Sequence, residues 1–132
     1  MNEGTVIDIV RRFIEETKFP KTCPTCERRY ESLSEYLAGT RHIGEPLSYD
    51  ATDDHWQPDA PQGTFSLANC PCGNTLAIDS TGMPNRTLWR LVIWARIESA
   101  KRRITIPALL ADIRNKIDRQ VRDEMENRAS RA

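Results

Sequence analysis

The chain has 132 residues, 39% of them hydrophobic and 29% charged, and its 19 basic and 19 acidic side chains balance to a net charge of zero. That length suits one domain able to bury a core of its own, and no apolar run approaches the roughly 20 residues of a membrane span. The opening MNEGTVIDIVRRF mixes acids and bases and lacks the uninterrupted apolar segment of a secretory signal, so the expectation is a cytoplasmic protein without a membrane partner.

Near the start, Val6, Ile9, Val10 and Phe13 recur at helical spacing with Ile14 widening the stripe, which predicts an amphipathic helix over about 4–17, ended before Pro20. The first two cysteines follow, in KTCPTCERRY. Ser32 then stands three residues before Glu35 in a capping-box arrangement, Leu33, Tyr36 and Leu37 share a face, and Gly39 is placed to close a short helix. From Arg41 to Gly63 the prolines Pro46, Pro58 and Pro61 interrupt any period, and the segment reads as a long ordered loop with one short strand at LSYD. Phe65 and Leu67, then Leu76 and Ile78, alternate with polar neighbours on either side of CPCGN, which predicts a β-hairpin with Cys70 and Cys72 at its tip.

The last third is helical. Asn85 or Thr87 can cap a helix to about Arg102, in which Leu88, Leu91, Val92, Ala95, Trp89 and Trp94 spread around the axis, so more than one side packs. Thr105 and Pro107 open a second helix with Ile106, Leu110, Ile113, Ile117 and Val121 in a stripe, and the polar tail after Met125 reads as fraying. The fold class expected is α+β in a single domain: an N-terminal helix, a knuckle-and-hairpin unit over 20–80 and a helical pair over 84–126.

Four cysteines in two close pairs are, in a reducing compartment, metal ligands or redox groups before they are disulfides. Structural zinc takes four N or S ligands in a tetrahedron, and a Cys-x-x-Cys turn lets two thiolates approach one ion while backbone amides hydrogen-bond to the sulfurs. Cys23 and Cys26 have that spacing. Cys70 and Cys72 are one residue closer, but in extended backbone positions i and i+2 point to the same side. The 43 residues between the pairs form an insertion that the metal would close. One zinc per chain, held by Cys23, Cys26, Cys70 and Cys72, is therefore expected, with rubredoxin-like iron the alternative occupant. A thiol redox switch is the competing chemistry. Against it, a thioredoxin-like site needs its Cys-x-x-Cys at a helix start within a βαβ unit, which does not surround Cys23.

On CPTC (23–26) and CPCGNTL (70–76), the segment between Phe19 and Ser80 resembles the broad zinc-ribbon and treble-clef class. The resemblance implies a structural zinc shared by a cysteine knuckle and a second ligand pair, and it implies no particular activity, since that class serves nucleic-acid machinery, enzymes and adaptors alike.

Other candidates are weighed by chemistry. His42 is a candidate to replace one cysteine as a ligand but reads as a loop residue, and His55, beside Asp53 and Asp54, is a candidate for a second metal site or an acid/base group but reads as part of a solvated acidic loop. Trp56 is either folded back on the core or held out for a partner. Between Gly44 and Ala60 there are five acids and no Lys or Arg, whereas Pro84–Arg122 carries ten bases against three acids. Such asymmetry marks either a polyanion-binding face or two segments that face each other. No phosphate loop, nucleophile elbow or paired-carboxylate arrangement is present. The function expected is a noncatalytic adaptor or regulator acting through protein contacts, including a homodimer, with Trp56, Trp89, Trp94, Arg102 and Arg103 as contact candidates. Nucleic-acid binding, through Arg102, Arg103 and their neighbours, is the alternative.

Overall fold

A computed structural model describes residues 1–131 and has the expected α+β composition, an N-terminal helix, small antiparallel sheets and C-terminal helices. Helix α1 (Glu3–Thr17) starts at Asn2, whose side chain accepts from the Thr5 amide. It is followed by a two-residue ribbon, β1 (Lys21–Thr22) and β2 (Arg29–Tyr30), around the CPTC turn. Helix α2 (Leu33–Gly39) is capped by Ser32, which accepts from the Glu35 amide, while Glu35 reaches back to the amide of Glu31. Gly39 is required by packing and not by a left-handed backbone: a Cβ there would lie 2.9 Å from both Arg28 Nη2 and Tyr30 Cε1.

The first eight residues of the segment read as a loop form a strand. Strand β3 (Arg41–Ser48) forms one edge of a sheet ordered β3-β4-β5, with β4 (Thr64–Asn69) central and β5 (Thr75–Asp79) opposite. The period was hidden because a register shift between Ile43 and Leu47 spans Gly44, at φ +62°, and the buried Pro46. An edge strand tolerates such a bulge, since a proline there removes no ladder bond that the sheet needs. Of LSYD, only Leu47 and Ser48 are extended, and Tyr49–Thr52 make a single helical turn, α3.

The loop that remains is pinned. Asp50, 1% exposed, accepts from the amides of Gln62 (2.8 Å) and Gly63 (2.9 Å), which satisfies a buried carboxylate with two donors. Trp56 folds inward, its ring 4.7 Å from that of Trp89, and Trp89 Nε1 donates to Pro58 O.

Helix α4 (Asn85–Arg102) begins after Pro84 without a side-chain cap, so neither Asn85 nor Thr87 plays that part. Proline's fixed backbone angle and the carbonyl it offers to Leu88 start the helix instead. The turn into α5 (Ile106–Arg131) contains no glycine, and Arg103 takes the left-handed position itself, at φ 57°. Helix α5 continues through the tail read as fraying, and just before that tail Arg11 of α1 holds Glu124 across the helix pair.

Two cores result. One joins α1, α2, the sheet and α5 through Val6, Tyr36, Leu37, Ala68, Ile113 and Ile117, and the other joins α3, α4 and the start of α5 through Ala51, Leu88, Val92 and Leu109. Trp94 packs against both, which is why α4 carries apolar residues on more than one side.

Candidate metal centre

The β1–β2 ribbon and the β4–β5 hairpin converge at their tips. Cys23 Sγ lies 3.6 Å from Cys72 Sγ, Cys26 Sγ lies 3.7 Å from Cys70 Sγ, and all four sulfurs fall within 4.8 Å of one another. A tetrahedron of thiolates about 2.3 Å from a central ion has edges of about 3.8 Å. The Cys23–Cys72 and Cys26–Cys70 edges are close to that value and far longer than the roughly 2.05 Å of a disulfide. The donor set therefore fits one tetrahedral metal ion, and among the described residues these cysteines form the sole cluster of three or more potential ligands.

Each turn presents its sulfurs by a local device. In CPTC the amide of Glu27 donates to Cys23 O, and Glu27 leaves the turn at φ 64°. In CPCG the amide of Gly73 donates to Cys70 O and Gly73 sits at φ +95°. Cys70, Pro71, Cys72 and Gly73 thus make a tight turn with proline in its second place. The turn, not the extended i, i+2 pair expected from spacing, brings Cys72 to the others.

The surroundings favour thiolate at the inner sulfurs. The amide of Cys26, then that of Thr25 and the side chains of Asn74 and Cys72, outweigh burial and lower Cys23 to about 6. Cys70 is also lowered, first by the Tyr30 hydroxyl 3.0 Å away and then by the Cys72 amide. At Cys26 the Arg28 amide favours the thiolate, but burial and the three neighbouring sulfurs together push the group up to about 11. Four close sulfurs without a cation repel one another's charge, and a divalent ion relieves that. Cys23 and Cys70 are buried whereas Cys26 and Cys72 are exposed, so the centre has an outer face open to solvent.

The other candidates fall elsewhere. His42 belongs to β3 and its Nε2 lies 2.6 Å from Asp118 Oδ2. His55 is exposed, its amide bonded to Asp53. Trp56 and Trp89 stack on each other beneath Arg96. Arg102 is tied to Glu98, Asp112 and Glu3, and Lys116 to Glu3 and Asp112, so these bases face acids within the chain. Arg96 also approaches Asp54 of the acidic loop. Arg103 stays exposed. Tyr30 and Asn74, which brace the sulfurs, were missed in the sequence; nearness in sequence to a cysteine was their one signal.

Compared with protein-family models, curated proteins and solved structures, the chain matches none. The site is a cluster of four cysteines placed so that it could hold one metal ion, and among the described residues no helix is long and apolar enough to cross a membrane.

Proposed function

We propose that the four cysteines hold one zinc ion as a structural staple and that the chain is an intracellular, noncatalytic adaptor whose helical pair docks a protein, a second copy of itself first of all. Zinc suits tetrahedral sulfur without a redox role, and it would add a covalent staple to two hairpin tips already linked through Tyr30 and Asn74. Ile93 and Ile97, 47% and 54% exposed and one turn apart on α4, carry the adaptor reading. The other large apolar side chains of that helix are buried or half-buried, and an isoleucine pair left in water on an ordered helix is the kind of surface a partner buries. The internal ion pairs of Arg102 leave less free charge for a nucleic acid than the sequence advertises.

Elemental analysis of the native protein with thiol counting before and after chelation tests the staple: one zinc per chain, with thiols unmasked by chelator alone, supports it. Sedimentation across a concentration series tests the surface. Self-association weakened by Ile93→Glu and Ile97→Glu and indifferent to salt fits an apolar dimer. A monomer at all concentrations removes the self-docking form, and tight, steeply salt-dependent nucleic-acid binding would replace the adaptor reading.

A further inference from the structure

Between α1, the sheet, α4 and α5 lies a partly open cavity of about 180 Å³. Its walls are overwhelmingly apolar, with Val10, Phe13, Ile14, Ile78, Leu91 and Ile113 among them. Native interiors seldom leave a void larger than a water molecule, and a cavity of about 150 Å³ is enough to hold benzene.

The polar exceptions are informative. Three buried side-chain atoms lack a hydrogen-bond partner among the described residues, His42 Nδ1, Ser66 Oγ and Arg114 Nε, and all three belong to residues lining this cavity. Arg114 is a half-buried cation whose Nη1 donates to Gly44 O, 2.9 Å away, yet among the described residues no carboxylate lies within ion-pair distance of it. The nearest candidate, Asp118, is engaged by His42. Burial acts against the guanidinium more strongly than the more distant Asp118 and Glu45 support it, so its pKa is lowered from the ordinary value. An apolar chamber whose lining residues include a few unsatisfied polar atoms is how a small-molecule site is built, and an arginine without an ion-pair partner selects an anion.

We propose that this cavity binds a small apolar molecule bearing a single carboxylate, a medium-chain fatty acid or aryl-alkanoate, with its tail in the chamber and its headgroup taking bonds from Arg114 and Ser66. His42, when doubly protonated, bridges Asp118 and the ligand as a donor from both nitrogens. The site is separate from the cysteine centre and does not depend on the adaptor reading.

Titration calorimetry of the zinc-loaded full chain with octanoate and with 1-octanol, which shares the tail and lacks the charge, tests it. Saturable one-to-one binding of octanoate, at least about tenfold tighter than octanol, is expected, with amide shifts at His42, Ser66 and Arg114. Arg114→Gln should remove that preference while leaving octanol affinity unchanged. Should that variant not fold, Ser66→Ala carries the same comparison, with a loss of about threefold to tenfold. Equal affinity for the two probes, shifts confined to other residues, or no binding of octanoate overturns the proposal.

Discussion

The hydroxyl of Tyr30 lies 3.0 Å from the sulfur of Cys70, and the residue is 1% exposed. Burial first and then Cys70 push that phenol up to about 12, so it stays protonated and serves as a donor to the thiolate. Groups that hydrogen-bond to a metal ligand typically alter metal affinity by about 10-fold to 100-fold when removed. Tyr30→Phe should accordingly weaken metal binding by about tenfold with little change of fold, read by competition with a chromophoric chelator. Arg103 is a simpler case. It occupies a left-handed position at φ 57°, where a side chain costs about 1 kcal/mol and glycine does not. Arg103→Gly is expected to raise stability by about 0.5 kcal/mol in urea denaturation, once glycine's greater freedom in the unfolded chain is subtracted.

Among the elements, the α3 turn and the loop after it depend on a single carboxylate. Asp50 receives two backbone amides from the far end of the loop, and a hydrogen bond to a charged group contributes about 1.5–3 kcal/mol. Asp50→Asn keeps one acceptor oxygen and turns an amide donor toward the second amide, so a destabilisation of about 2 kcal/mol is expected. Hydrogen exchange should accelerate at Gln62 and Gly63 before it does in the sheet. If exchange there is unchanged, the loop is held by the Trp56–Trp89 stack instead.

For the molecule as a whole, the closure of α1 on α5 is electrostatic at its edge. Arg11 donates to both oxygens of Glu124, the closer at 2.5 Å, and that hydrogen bond is the first cause of the lowering of Glu124 below the usual glutamate range. A carboxylate lowered in the folded state contributes stability above its unfolded pKa, and that contribution disappears as pH falls through the folded value. Between about pH 5 and pH 3 the wild type should therefore lose more stability than Glu124→Gln, both chains sharing the same cysteine centre. Glu124 is half exposed, so added salt should shrink the difference. Parallel pH curves for the two proteins would show that this pair does not hold the helices.

Sequence alone determined the helices whose apolar spacing is regular, the capped turn at Ser32, the CPCGN hairpin and the four metal-ligating candidates, because these signals are local and written in residue type and spacing. Tertiary structure decided the rest. Strand β3 was illegible because its pairing with β4 is long-range and its bulge broke the alternation, and Gly39 needed its neighbours' positions to show that space, not dihedral freedom, demands it. Arg102 and Lys116 looked like a basic face until folding put carboxylates beside them, and the chamber around Arg114 exists through the meeting of two helices, a sheet and α1. Charge and volume are properties of neighbours in space, and the chain order does not record which residues become neighbours.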